Sequence, residues 1–148
     1  DYGYFGKKKE FKNSKNLLSV DWVNGNVFLA KKKLFEELGY FKEDFIVCED
    51  YDLWLRFLLK HKIGFCEELL ITKYGGHEDQ LSKKYKAMDY YRVKSMLALL
   101  DEVKSTDRKE AVKKVLKIKC MILISGYKKF GNVKHLEEIE GILRSIEN

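Results

Sequence analysis

VCEDYDLWLRFLLKHK, residues 47–62, decides how this chain is read, because it sets three acids at the mouth of an otherwise apolar helix. At about 100° per residue, Glu49, Asp52, Arg56 and Lys60 fall on one stripe, which reads as the solvent face. Tyr51, Leu53, Trp54, Leu55, Phe57, Leu58 and Leu59 cover the rest, so the helix is expected to be mostly buried. Asp50 falls between Phe57 and Trp54, where a carboxylate needs a reason. A helix N-terminus carries partial positive charge and unpaired N–H groups, so capping is the ordinary reading of an acid there. Two acids side by side exceed what one cap requires, and a loop, YFKEDFIV, delivers them. Such a carboxylate suits general-base chemistry: the helix end helps keep it ionised, while partial desolvation raises its basicity. Asp52 and Arg56 are simpler. At i,i+4 on the exposed stripe they read as a surface salt bridge worth about 0.3–0.5 kcal/mol.

Composition narrows the field. At 148 residues the chain is one ordinary domain or a piece of a larger one, and 45% hydrophobic with 14% aromatic residues supports a core and excludes disorder. No apolar run approaches the roughly 18–20 residues that cross a bilayer, and DYGYFGKKKEFKN at the start is no signal peptide. Cys48, Cys66 and Cys120 are odd in number, widely spaced and without a CxxC pair, which argues against a disulfide scaffold or zinc site and for a reducing cytoplasm. The net charge of +6 is unevenly spread: residues 36–82 carry 5 basic against 11 acidic groups, residues 83–135 carry 15 against 5. A Lys-rich solvated face is the plain reading of that basic block, and contact with an anionic surface is the other. With no aromatic platform among those lysines, nucleic acid is not an expected partner.

Along the chain, residues 1–16 form a polar lead-in, 17–82 a mixed unit and 83–148 a helical extension. Val27, Phe28 and Leu29 read as a buried strand after the Asn24-Gly25 turn, and IGFCEELLITKY gives two more at about 63–66 and 69–74. KKKLFEELGYF is a short helix closed by Gly39. Three helices follow. The first runs from about 83 to 104, with Met88, Arg92, Met96, Leu99, Leu100 and Val103 on one face. The second starts after Thr106 or Asp107 and carries Val112, Val115, Leu116, Ile118, Ile122 and Leu123. The third, capped by Asn132, repeats Leu136, Ile139, Leu143 and Ile146. The fold class expected is α/β, a few strands followed by a three-helix tail.

The ordered series NGNVFLAKKKLFEELG, GYFKE, CEDYDLWLR, KIGFCEELLI and GGHEDQLS, within roughly residues 20–85, resembles the second half of bacterial family 2 glycosyltransferases of the GT-A fold. In that family a small-residue strand, a basic helix, GxFDE, EDxDLxxR, two strands and a late histidine follow in this order. The resemblance implies transfer of a sugar from a nucleotide-sugar donor to a glycan or lipid-linked acceptor hydroxyl, in one inverting step. It implies Asp50 as the base, with Glu49 as the alternative or an acceptor-binding neighbour. Trp22, Asn24 and Gly25 would line the acceptor side, Asp52 and Arg56 would be substrate-binding positions, and His77 would reach the donor's metal or diphosphate.

Two departures qualify it. The FDE of the family is here Phe41-Lys42-Glu43, so no role carries over to position 42. Nothing before residue 20 can be the donor-binding half with its DxD for Mn²⁺ or Mg²⁺, and DYD at 50–52 opens a helix instead of ending a strand. The expectation is an acceptor-side half whose divalent metal belongs to the complete enzyme. Exposed strand edges would call for a homodimer or a swapped strand as cover. The expected place is the cytoplasm, including peripheral contact at the inner face of the membrane. The competing reading is a non-catalytic helical interaction module.

Overall fold

The computed structural model describes residues 30–62 and 84–147. Five helices make up most of them: α1 Lys32–Leu38, α2 Glu49–Lys60, α3 Asp89–Glu102, α4 Thr106–Phe130 and α5 Val133–Glu147. Each packs against the next in the chain, α1 on α2, α2 on α3, α3 on α4 and α4 on α5. The α/β expectation is corrected: the described residues are 76% helical, with no strand among them. The three strands expected at 27–29, 63–66 and 69–74 lie outside the described residues.

The sequence accounts for the helices locally. EDYDLWLRFLLK has no β-branched residue, and its acids in the first turn and Lys60 in the last both suit the helix dipole. α1 ends at Gly39, whose φ of +75° suits a residue without a Cβ. α3 begins six residues later than the periodicity suggests, because Ala87 at φ +56° breaks the right-handed path. α4, about 37 Å long at 1.5 Å per residue, ends at Gly131 (φ +70°), with the Asn132 N–H returned to the Tyr127 carbonyl at 3.0 Å.

One apolar cluster runs through the helices. Leu53 and Leu55 of α2, Val93 and Met96 of α3, Leu116 and Cys120 of α4 and Ile139 of α5 are all buried in it. α2 is as buried as its pattern implies, but its polar stripe is not the solvent face. Asp52 is 2% exposed. Residues 38–42 fold back over that stripe and bring Lys42 and three backbone carbonyls to it.

Burial also sets how the fold responds to alkali. Desolvation pushes the Cys48 and Cys120 thiols up to about 11 and the Tyr127 hydroxyl up to about 12. The folded chain therefore keeps these protons to higher pH than the unfolded chain does. Their contribution to stability is whole below the ordinary thiol value of 9.0 and is lost as pH rises through about 11. Urea midpoints measured between about pH 8 and about pH 10.5 should fall steadily. A flat profile would show that these groups are not buried as described.

Candidate active site at the start of helix 2

The chain enters α2 through Cys48, a non-glycine residue in the left-handed region at φ +62°. That conformation costs on the order of 1–2 kcal/mol and must be held by its surroundings. The holding contacts are visible. Cys48 Sγ points to the Met88 carbonyl at 3.6 Å, which ties the entrance of α2 to the entrance of α3. The Asp52 N–H then donates to the Cys48 carbonyl at 3.2 Å, closing the first helical turn.

The three acids that follow are divided by their partners. Glu49 and Asp50 are half-buried. Asp50 Oδ1 accepts the Tyr51 N–H at 2.7 Å, which satisfies one of the first-turn donors. Asp52 is drawn inward. Its Oδ1 accepts from Lys42 Nζ at 2.8 Å and its Oδ2 from Arg56 Nε at 2.8 Å. Arg56 spreads its remaining donors over the end of α1, to the carbonyls of Leu38, of Gly39 at 3.2 Å and of Tyr40 at 2.9 Å. The expected surface pair is thus a buried one, with carboxylate and guanidinium side chains 3% and 14% exposed. The helical wheel could not see this, because the covering residues lie outside the helix. Lys42, given no role from the sequence, is the missing partner. Its one signal was a lysine where the resemblance has an acid.

Cations approach from α3 and α4. The Arg92 guanidinium lies over the Tyr51 ring at 5.8 Å and pairs with Asp89 at 2.8 Å, and Lys119 Nζ reaches the same carboxylate at 3.1 Å. Burial pushes the Asp89 carboxyl up, but the hydrogen bonds and charges of Arg92 and Lys119 outweigh it and hold the group below its ordinary value. The half-buried acids at the start of α2 therefore sit beside an ion-paired cluster, with Arg92, Asp50, Asp89 and Glu49 all acting electrostatically on the Cys48 thiol.

The structure thus sets Glu49, Asp50 and Asp52 in the first turn of α2, with Arg56 one turn further on bonded to Asp52. Trp22, Asn24, Gly25 and His77 lie outside the described residues, as does Cys66. Among the described residues no group of three His, Cys, Asp or Glu is placed to hold a metal ion. The DYD spelling does not supply one either, since both Asp52 oxygens are taken by Lys42 and Arg56. No described helix is long and apolar enough to cross a membrane.

Over 62 residues, 42% of this chain, the sequence is 40% identical to an uncharacterized glycosyltransferase of Rickettsia felis. The chain covers 10% of that protein's length. No protein-family model matches the chain, and no solved structure matches it. The similarity supports a relationship to glycosyltransferases.

Proposed function

We propose that this chain is the acceptor-side part of a family 2 glycosyltransferase. The whole enzyme moves a sugar from a nucleotide-sugar donor to a hydroxyl of a glycan or lipid-linked acceptor, at the cytoplasmic face of the membrane. One observation carries the reading beyond the similarity: of the three acids opening α2, Asp52 is locked inside by Lys42 and Arg56, while Glu49 and Asp50 stay half-buried at the helix end.

In this mechanism the Asp50 carboxylate takes the proton of the acceptor hydroxyl. The acceptor oxygen forms its bond to the anomeric carbon as the bond from that carbon to the diphosphate oxygen breaks. The diphosphate leaves with the electron pair, and the anomeric configuration inverts. Glu49 orients the acceptor. The described residues do not fit the divalent metal expected of the complete enzyme, so no step here passes through one.

The non-catalytic alternative has a specific observation in its favour, the bond from the Tyr51 N–H to Asp50, which is helix-end work. The double exchange Glu49→Gln/Asp50→Asn in the full-length protein decides between them. Incubated with labelled UDP- and GDP-sugars, the doubly exchanged protein should give no transfer above background while keeping its far-UV circular dichroism. Transfer at the parent rate would dismiss the acidic pair from the chemistry.

A further inference from the structure

Helix α4 is apolar on two sides. Val112, Leu116, Cys120, Leu123 and Tyr127 form its buried stripe. Ile118, Met121 and Ile122 stand on the opposite side, 49%, 55% and 56% exposed. A soluble helix buries one apolar stripe and turns a polar face to water, so a second apolar patch calls for a cover. By helical spacing Lys114 precedes this patch and Lys129 follows it on the same face.

Three of the seven lysines of α4 are ion-paired. Lys117 pairs with Glu147, Lys119 with Asp89 and Lys128 with Glu140. Lys109, Lys113, Lys114 and Lys129 make no ion pair among the described residues, and of these Lys114 and Lys129 share the face of the apolar patch. Lys114 also lines, with Lys113 and Lys117, a cleft of about 570 Å³ whose other walls are Glu110, Ile146 and Glu147. Apolar side chains at the centre, with the exposed ammonium groups of Lys114 and Lys129 at the two ends of the patch, describe a cover that is both apolar and anionic.

The same charges argue against a second copy of this chain. Antiparallel pairing of two α4 helices about Met121 and Ile122 would set each Lys114 against the other copy's Lys129. Parallel pairing would set every lysine against its own counterpart. Like charges opposed across an apolar seam oppose association.

We propose that the outward face of α4 docks on an anionic lipid surface. Ile118, Met121 and Ile122 enter the boundary between headgroups and acyl chains, and Lys114 and Lys129 lie against lipid phosphates. A single convex helix face suits a plane, and its exposed lysines are the groups that anionic lipid attracts. This assignment is independent of the transfer reaction and of Asp50.

The test is co-sedimentation of the 148-residue chain with vesicles of phosphatidylcholine alone and with about one-third phosphatidylserine. Binding is expected only to the anionic vesicles, and it should weaken as salt is raised. Lys114→Gln/Lys129→Gln should weaken it by roughly fivefold per lysine. Ile118→Ser/Ile122→Ser, which removes apolar groups from an exposed face and leaves the buried stripe intact, should weaken it with no change of charge. Each outcome decides. Absence of pelleting at low salt, or equal pelleting with neutral vesicles, overturns the proposal. Binding that ignores the isoleucine exchange but is abolished by millimolar inorganic phosphate assigns the cleft to a free anion. Concentration-dependent dimers without vesicle binding assign the face to a second copy.

Discussion

Asp50→Asn, introduced alone into the full-length protein, should lower kcat by about 10²–10⁴, the range expected when a positioned general base loses its proton affinity. The exchange is nearly isosteric, and an amide oxygen can still accept the Tyr51 N–H that Asp50 Oδ1 accepts at 2.7 Å. Stability should therefore hold within about 0.5 kcal/mol, as for most substitutions that leave packing and hydrogen bonding in place. That combination is the discriminating one. Were Asp50 a helix-end group alone, Asp50→Asn would leave both stability and transfer unchanged, and Asp50→Ala would cost about 1 kcal/mol of stability with transfer intact. Loss of a base shows in kcat with stability unchanged. Glu49→Gln gives the internal contrast: as an acceptor-orienting neighbour it should act mainly on the KM for acceptor. If Glu49→Gln abolishes kcat and Asp50→Asn does not, the roles of the two acids are exchanged. If neither moves kcat by more than about threefold, neither is the base.

The helices of this chain were legible because each repeats apolar residues at a helical period and stops at a recognisable residue. The stop of α1 at Gly39 and the start of α5 directly after Asn132 follow from turn and capping chemistry that is local in sequence, whereas α4 already begins at Thr106, with no side-chain cap bond from Ser105. The start of α3 was not legible, because nothing in KAMDY announces that Ala87 takes φ +56°. The middle of α4 misled for a different reason. With apolar residues on every side between Val115 and Ile124, the pattern cannot say which side faces the core. Ile118 and Ile122, named with Leu116 and Leu123 as apolar residues of this helix, stand opposite them.

The candidate site shows the same limit in charged residues. Spacing alone made Asp52 and Arg56 an i,i+4 pair, and they are one. What spacing could not supply was the backbone folded over them. A helical wheel ranks the faces of one helix against each other, whereas burial depends on whatever packs there from outside it. Here the cover is the end of α1 and the loop after it, positioned by Arg56 itself. The acids that look alike in CEDYD are thereby separated, one structural and two left at the helix end.

Asp52→Ala should destabilise the fold by about 2–3 kcal/mol, read from the urea midpoint of the intact chain. Removing one member of a buried ion pair commonly costs about 3–5 kcal/mol, because the partner charge is stranded. Two features here lower the figure. Arg56 keeps the carbonyls of Leu38, Gly39 and Tyr40 as acceptors. Lys42, whose side chain is 38% exposed, can turn to water. Asp52→Asn, which keeps two polar atoms but not the charge, should cost about half as much. The expected order is therefore Ala above Asn, with Lys42→Met smaller than either, since one exposed partner can be replaced by solvent. A double-mutant cycle between positions 42 and 52 should give a coupling below about 1 kcal/mol, and one between 52 and 56 a larger one. The reverse order would mean that Lys42 holds residues 38–42 on α2, leaving Arg56 as a helix-end donor only. An Asp52→Ala cost under about 0.5 kcal/mol would mean that the carboxylate is solvated in solution and that the acids of α2 are not sorted in the way the proposed mechanism requires.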